Sequence, residues 1–167
     1  MKKLFILSGV PGSGKSYFSD TIKKIRRRHV FIISSDRLRE EMLGTAQEFD
    51  CDATMWSIFY NLPRVYSKDE EAIVIMDATH IKSSLRLRVC NDLRHYYDET
   101  DLVFFKIDSD VVRMQNIGRK YPVKADVLEQ FIQNIEDPTP EEYEAFDNIY
   151  IIKDANLSIA VNEILKK

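Results

Sequence analysis

Short continuous apolar runs alternate along the chain with longer segments in which apolar residues recur at helical spacing. The continuous runs predict buried strands, and the amphipathic segments between them predict helices. The predicted strands are Leu4–Ser8, Val30–Ser34, Ile73–Met76, Leu102–Ile107 and Ile149–Ile152. Apolar strands that are separated by helices are typical of a parallel sheet covered on both faces. The pattern therefore predicts a three-layer α/β/α fold with a five-stranded parallel sheet.

The amphipathic segments predict the helices that cover this sheet. They are Lys15 to about Arg27, Asp36–Leu43, Glu48 to about Tyr66 with an interruption at Pro63, Ser83–Tyr97, Asp110 to about Gly118 with Ser109 as its cap, Ala125–Ile135, and Ile159–Leu165. The sequence contains no internal repeat, low-complexity tract or linker. Residues 1–167 are therefore expected to form a single domain.

A glycine-rich motif, Gly-Val-Pro-Gly-Ser-Gly-Lys-Ser at 9–16, lies between the first predicted strand and the first predicted helix. Its glycines let backbone N–H groups turn inward around a polyphosphate, and the following helix directs its positive end at the same anion. In such a loop Lys15 reaches the terminal phosphates and the Ser16 hydroxyl binds Mg²⁺. A chance match on an ordinary turn is the alternative. The context of strand, loop and helix favours the phosphate-binding interpretation.

Further candidate residues follow the ends of other predicted strands, where ligands of a parallel sheet bind. Asp77 ends the third strand, and Thr79 and His80 come directly after it. A carboxylate at this position is expected to bind Mg²⁺, directly or through water, beside Ser16. The alternative is an aspartate that caps a turn. His80 could contact a ligand at the strand end, or it could be a turn histidine with its hydrogen bonds satisfied.

Asp36 follows the second predicted strand, and Arg39 lies three residues later on the same helical face. The carboxylate could orient and deprotonate an acceptor hydroxyl while Arg39 holds an anionic group of the acceptor. A helix-capping aspartate paired with a surface arginine is the alternative. Arg119 lies in a stretch with glycine and proline that suggests a mobile lid around 113–124. An arginine there could neutralise a phosphoryl group in transit, although solvated loop arginines are common.

The composition restricts the possible partners of the protein. The net charge of -3 and the pI of about 5.7 indicate no broad surface for a polyanion, so any nucleic-acid contact is expected to be local. No apolar run is long enough to cross a membrane, and we expect a cytoplasmic protein with Cys51 and Cys90 reduced.

The aromatic-rich segment 55–60 could stack a base, but its helical spacing favours core packing.

Four blocks of sequence occur in a characteristic order. They are G-V-P-G-S-G-K-S at 9–16, S-S-D-R-L-R at 34–39, D-A-T-H-I-K-S-S-L-R-L-R at 77–88 and Q-N-I-G-R at 115–119, with a fifth, E-D-P-T-P-E-E, at 136–142. In these blocks the chain resembles the compact P-loop kinases related to the 5′-hydroxyl polynucleotide kinases of phages, bacteria and animals. This group is part of the zeta-toxin-like and AAA-type small P-loop kinases. The resemblance covers almost the whole chain.

The resemblance implies an ATP- and Mg²⁺-dependent kinase whose first-choice acceptor is the 5′-OH of RNA or DNA. It places the general base at Asp36, the acceptor-phosphate arginine at Arg39 and the lid arginine at Arg119. The residues expected to bind the donor are Gly9, Pro11, Gly12, Ser13, Gly14, Lys15, Ser16, Tyr17 and Arg119. The residues expected to bind the acceptor are Asp36, Arg39, Thr79 and His80. The residues expected to bind the metal are Ser16 and Asp77. The chain departs from the family at Gln115, where the first lid arginine usually stands, and at His80, where many members have Asn.

Two alternatives for the function stay open from the sequence. Related sequences phosphorylate sugars, nucleoside derivatives or aminoacyl-tRNA, and the acidic pI fits a smaller acceptor. A nucleotide-controlled switch or ATPase module is the other alternative. Ala78 stands where motor ATPases usually place a glutamate, and the N-K-x-D and L-S-G-G-Q motifs are absent from the sequence. These features favour a kinase over a switch or an ATPase.

Overall fold

Five parallel strands form the sheet in the order β2-β3-β1-β4-β5 in the computed structural model, which describes residues 1–153 and 157–166. The strands are β1 (Lys3–Ser8), β2 (Val30–Ser34), β3 (Ile73–Asp77), β4 (Glu99–Phe105) and β5 (Asn148–Ile152). Each neighbouring pair is parallel. The predicted α/β fold with a five-stranded parallel sheet is confirmed.

Helices cover both faces of this sheet. They are α1 (Lys15–Arg26), α2 (Ser35–Leu43), α3 (Asp52–Tyr66), α4 (Ser83–Leu93), α5 (Ser109–Ile117), α6 (Ala125–Asn134), α7 (Pro140–Ala145) and α8 (Leu157–Lys166). One apolar core contains residues of α1 and α8, and another contains residues of α3 and α4. Side chains alternate across a strand, so β1 contributes Phe5 and Leu7 to the first core and Leu4 and Ile6 to the second. In the part of the chain that the structure describes, no helix is long and apolar enough to cross a membrane.

Several element boundaries differ from the sequence prediction. The helix expected over Ser83–Tyr97 ends at Leu93 and is followed by a 3₁₀ turn over Arg94–Tyr96. Pro63 does not interrupt α3, since it lies in the last turn of a helix that continues to Tyr66. The cap of α5 is Asp108 instead of Ser109, because the Asp108 side chain accepts a hydrogen bond from the N–H of Asp110.

The short helix α7 was not expected from the sequence, and it holds one end of a buried ion pair. Its capping box joins Thr139 and Glu142. The Glu142 carboxylate accepts hydrogen bonds from Arg86 of α4 at 2.6 and 3.0 Å, and both side chains are fully buried. Burial opposes ionisation of Glu142, but the hydrogen bonds from Arg86, the Thr139 backbone N–H and Ser83, with the charge of Arg86, together outweigh it and lower the pKa of this carboxyl. The pair therefore ties α4 to α7.

Arg86 also fixes the loop that leaves β3. Its Nη1 donates to the carbonyl oxygens of His80 and Ile81 at 3.0 and 3.1 Å, and its Nη2 donates to the carbonyl of Glu136 at 2.9 Å. A buried guanidinium with its N–H groups engaged in this way holds the backbone around it in one arrangement. Arg86 thereby sets the path of the chain just beyond Asp77.

Strand β4 begins at Glu99, before the expected Leu102, because its first three residues already pair with β1. Thr100 and Asp101 are each 1% exposed. The Asp101 Oδ1 accepts a hydrogen bond from Asn148 at 2.9 Å, yet burial raises the pKa of Asp101 to about 7. A buried carboxyl in mid-strand breaks the apolar run from which the strand was predicted.

We expect Asp101 to make the fold less stable as the pH rises. Its pKa is higher in the folded chain than the usual 3.8, so the folded state holds the proton more tightly and stability is lost between about pH 4 and pH 7. Between pH 5 and pH 8 this carboxyl should lower the free energy of unfolding by on the order of 2 kcal/mol. Asp101→Asn, which keeps an uncharged amide in place of the acid, should reduce that difference. Denaturant unfolding at the two pH values measures it.

The matched control for this prediction is Asp92→Asn, which removes an exposed carboxylate from α4. This variant should keep the pH dependence of the wild-type protein. Asp101→Asn and wild-type proteins whose stabilities change by the same amount between pH 5 and pH 8 would show that Asp101 is not responsible.

Candidate active site

The glycine-rich loop joins β1 to α1 in a conformation that requires glycine. Gly12 and Gly14 have φ angles of +82° and +97°. A side chain on Gly12 would also bring its Cβ within 3.0 Å of the Val112 carbonyl oxygen and 3.2 Å of the Asn116 backbone nitrogen in α5. At Gly14, by contrast, no atom lies within 4 Å of a Cβ position, so the loop opens into free space at the start of α1.

Lys15 and Ser16 occupy the first turn of α1 and face the end of β3. The Lys15 Nζ donates to the Val10 carbonyl at 2.9 Å, and burial lowers the pKa of Lys15 to about 8. The Ser16 hydroxyl donates to Asp77 Oδ2 at 2.9 Å. Burial raises the pKa of Asp77, and the neighbouring Lys15 opposes this shift. A hydroxyl, a carboxylate and an ammonium group therefore lie together at the carboxyl edge of the sheet.

Asp36 reaches the same edge from the neighbouring strand. Ser34 at the end of β2 lies in register with Asp77, and the Ser34 hydroxyl accepts a hydrogen bond from the backbone N–H of Arg37. This N-cap begins α2 directly after the strand. It places Asp36 in the first turn of α2, with its carboxylate about half exposed.

Arg119 connects Asp36 to the loop between α5 and α6. Its Nη2 donates to Asp36 Oδ2 at 2.9 Å, while its Nη1 is buried and has no hydrogen-bond partner among the described residues. A buried N–H without a partner is costly, and an incoming anion would satisfy it. Asn116 holds this loop in shape, because its side chain accepts from the Val123 N–H and donates to the Val123 carbonyl.

Two more contacts join this loop to the segment that begins with α2. Lys120 forms an ion pair with Glu40, and Gln47 Nε2 donates to the Pro122 carbonyl at 3.3 Å. The loop between α5 and α6 thus lies over the candidate site in the described structure. Mobility of a lid around 113–124 remains a prediction.

A cavity of about 900 Å³ brings most of the candidate residues together. The candidates that line it are Pro11, Gly12, Gly14, Lys15, Ser16, Tyr17, Asp36, Arg39, Asp77, Thr79 and Arg119. Gly9 and Ser13 belong to the loop but do not line this cavity: the Gly9 N–H donates to the Thr79 carbonyl, and the Ser13 hydroxyl is buried.

His80 is not brought to the cavity, so its position does not support the expected acceptor contact. The ring is 2% exposed, and its Nδ1 lies 2.7 Å from the Leu7 carbonyl oxygen. Burial lowers the pKa of His80 to about 4, which makes the ring neutral at neutral pH. The backbone at His80 has a φ of +39°, and the ring packs near Phe59 and Tyr60. This left-handed turn, which the sequence did not indicate, directs the ring into the core.

Arg39 is held more firmly than a surface arginine. Asp52 at the start of α3 accepts hydrogen bonds from its Nε at 2.9 Å and its Nη2 at 3.5 Å, and its Nη1 lies 3.4 Å from Asp36 Oδ1. The guanidinium also packs against the rings of Phe49 and Trp56, with its central carbon 4.9 and 5.4 Å from their centroids. Nη1 is therefore the nitrogen directed at Asp36.

The sequence did not single out Asp52 or Phe49, and it favoured a core position for the aromatic segment 55–60. Met55 and Phe59 are buried in the core, as expected. Trp56 lies between them in sequence but faces the cavity. Phe49 lies at the start of the helix predicted over Glu48 to about Tyr66, but α3 begins only at Asp52, so Phe49 precedes the helix.

The residues of this cavity fit Mg²⁺ only together with a phosphate ligand. Within residues 1–153 and 157–166, no group of three or more His, Cys, Asp or Glu could hold a metal ion. Ser16 and Asp77 would hold it, with phosphate oxygens completing the shell. When bound, Mg²⁺ supplies charge neutralisation for the phosphates.

The loop, the sheet and the cavity define the class of the protein, a P-loop nucleotide-binding domain with a kinase-like fold. A family model described as an AAA domain matches residues 4–138. The chain belongs to this family.

Two curated relatives are similar in sequence. The L-seryl-tRNA(Sec) kinase of Methanococcus maripaludis is 26% identical over 170 residues, which cover 98% of this chain and 64% of that protein. Protein kti12 of Schizosaccharomyces pombe is 25% identical over 147 residues, which cover 81% of this chain and 52% of that protein. The chain thus spans less than two thirds of the length of either relative.

Solved structures show the same fold at low sequence identity. A structure described as a kinase of Chloroflexus aurantiacus has a TM-score of 0.75 at 15% identity, covering 99% of this chain and 94% of that one. Kti12 of Chaetomium thermophilum, in complex with ADP-AlF3, has a TM-score of 0.69 at 14% identity, covering 98% of this chain and 97% of that one. At these identities the likeness concerns the fold alone.

Proposed function

We propose that the protein is an ATP-dependent kinase that transfers the γ-phosphate to a hydroxyl, with the 5′-OH of RNA or DNA as its acceptor. The observation that carries this proposal is the position of Arg119. One of its terminal nitrogens binds Asp36, the other is buried without a partner among the described residues, and the Arg119 side chain lines the same cavity as Lys15. The same guanidinium therefore contacts the proposed proton acceptor in a cavity that the glycine-rich loop also lines.

In this proposal the donor phosphates lie in the loop from Gly12 to Ser16. The backbone N–H groups and the Lys15 ammonium neutralise the phosphates, and Ser16 and Asp77 hold Mg²⁺. Lys15 now donates to the Val10 carbonyl, and this hydrogen bond is exchanged for one to a phosphate oxygen. A bound polyanion also offsets the burial that lowers the pKa of Lys15.

Asp36 acts on the acceptor. Its carboxylate accepts a hydrogen bond from the acceptor hydroxyl and receives the proton as the new O–P bond forms and the bond to the ADP oxygen breaks. Positioning contributes more than basicity here, because the proton moves late. Arg39 is held by Asp52 and supports the orientation of Asp36 through Nη1.

Arg119 must change partners during the reaction. It binds Asp36 at 2.9 Å in the described structure, whereas a transferring phosphoryl group needs a cation to neutralise it. Binding of donor and acceptor therefore breaks the Asp36–Arg119 ion pair. Asp36 then contacts the acceptor hydroxyl, and Arg119 contacts the transferring phosphoryl group. The pair is half-exposed on the Asp36 side, so solvent screening keeps the cost of breaking it low.

A nucleic-acid acceptor is supported by the motif block from 34 to 39, which resembles that of the 5′-hydroxyl polynucleotide kinases. A second candidate acceptor, aminoacyl-tRNA, is favoured by the similarity to the seryl-tRNA(Sec) kinase. The net charge of -3 argues against a long cationic groove, so only the end of a nucleic acid would contact the protein.

Transfer of labelled γ-phosphate from ATP tests the proposal. The acceptors are 5′-OH oligonucleotides of RNA and of DNA, seryl-tRNA, a nucleoside and a sugar, assayed in parallel. We expect efficient labelling of an oligonucleotide 5′ end and little release of free phosphate. Labelling of seryl-tRNA alone would favour the second candidate. Phosphate release that needs no acceptor would contradict a kinase function.

A further inference from the structure

We propose that the cavity selects acceptors that carry a nucleobase next to the reacting hydroxyl, and that Phe49 is the residue on which this base stacks. The inference rests on the proposed function and extends it from the hydroxyl to the neighbouring group of the acceptor. It assigns to Phe49 the specificity for the terminal nucleotide.

Phe49 is an aromatic side chain exposed where a ligand would cover it. It is 59% exposed and lines the cavity that also contains Asp36 and Lys15. Among the ring contacts of the described residues, the Phe49 ring has only one, with the Arg39 guanidinium. A large aromatic surface of this kind is unfavourable in water and becomes favourable when a flat ligand covers it.

The position of Phe49 relative to Asp36 follows from Arg39. The same guanidinium that packs on Phe49 places its Nη1 3.4 Å from Asp36 Oδ1. Asp52 holds it in that orientation through Nε. Phe49 and Asp36 therefore contact the same guanidinium, which places a group stacked on Phe49 in the neighbourhood of the carboxylate that receives the acceptor hydroxyl. One nucleotide likewise carries its base and its 5′-OH as neighbouring groups.

The same cavity offers further apolar surface for a base. Trp56, Pro122, Val127 and Phe131 add apolar surface to the lining. Among the described lining residues, the only carboxylates are Asp36 and Asp77, which the phosphate chemistry already uses. A base needs a flat apolar surface, and the polar lining residues Ser35, Gln47 and Gln115 offer hydrogen-bond partners for its edge.

Two oligonucleotides that differ only in the terminal base test this inference. Both carry a 5′-OH, but one has an abasic residue at its 5′ end. We expect kcat/KM of the wild-type enzyme to be about tenfold higher for the oligonucleotide with the base, which is the effect of one base–aromatic stack. This comparison needs no variant and so does not depend on whether a variant folds.

Variants then locate the effect at Phe49. Phe49→Ala should lose most of the preference for the base while keeping the KM for ATP, and Phe49→Tyr should restore it. The matched control is Tyr143→Ala, which removes a ring that is 58% exposed on α7 and does not line the cavity. This control should keep the full preference.

The outcomes separate this inference from the proposed function. Equal kcat/KM for the two oligonucleotides, or a Phe49→Ala enzyme with the wild-type preference, overturns the role of Phe49 while the kinase assignment stands. Absence of transfer to either oligonucleotide, with ATP still bound, overturns the proposed acceptor and this inference together.

Discussion

Replacing Lys15 with alanine is expected to abolish phosphoryl transfer and to weaken ATP binding strongly, whereas Asp36→Asn should abolish transfer alone. Lys15 is the buried cation of the phosphate loop, so its loss removes the charge that balances the donor phosphates. Asp36 lies in the same cavity but contacts the acceptor instead of the donor. The amide of an asparagine at this position cannot receive the proton of the acceptor hydroxyl. Loss of a positioned general base lowers kcat by about 10²- to 10⁴-fold.

Two measurements distinguish these variants. Labelled γ-phosphate transfer to a 5′-OH oligonucleotide gives kcat, and calorimetry gives the dissociation constant for ATP. The matched control is Asp20→Asn. Like Asp36, Asp20 forms an ion pair with an arginine at 2.9 Å, but this Asp20–Arg37 pair lies outside the cavity. The control should keep both values. Turnover that persists in Asp36→Asn would show that Asp36 is not the base.

Arg86→Met is expected to lower the free energy of unfolding by about 3–5 kcal/mol. The substitution leaves the Glu142 carboxylate fully buried without its cationic partner, and it frees the carbonyl groups of His80 and Ile81. Denaturant unfolding followed by circular dichroism measures the change. Arg86 and Glu142 do not line the cavity, but Arg86 holds the loop just beyond Asp77, so the remaining folded protein should also bind ATP more weakly.

Two further variants separate charge burial from general damage. Arg86→Met combined with Glu142→Leu removes both charges and should be more stable than Arg86→Met alone. Arg113→Met breaks the exposed Arg113–Glu129 pair and should change stability much less. A loss below about 1 kcal/mol in Arg86→Met would contradict a structural role for the buried pair.

Hydrophobic periodicity predicted most of the fold because the sheet is apolar on both faces. Each of the five predicted strands is present, and the glycine loop lies where the motif placed it. The start of β4 was misplaced because Asp101 is buried, and a buried carboxyl carries no apolar signal. The helix α7 was not predicted because its six residues are too few to show a helical period.

The candidate site was predicted in part. Strand ends meet at one edge of a parallel sheet, so the meeting of Lys15, Asp36 and Asp77 in one cavity could be expected. The turn at His80 could not be expected, because it depends on a positive φ angle. The contact of Arg39 with Asp52 could not be expected either, because Asp52 lies thirteen positions away in the sequence. Contacts of this kind are set by tertiary packing, which spacing along the sequence does not encode.

A structure of the protein with ADP, aluminium fluoride, Mg²⁺ and a 5′-OH oligonucleotide would test the central claim most directly. We predict that the acceptor 5′ oxygen lies within hydrogen-bond distance of the Asp36 carboxylate, and that Arg119 has left Asp36 to contact the fluoride group above the phosphate loop. An intact Asp36–Arg119 ion pair, with the acceptor hydroxyl bound elsewhere, would contradict the proposed mechanism.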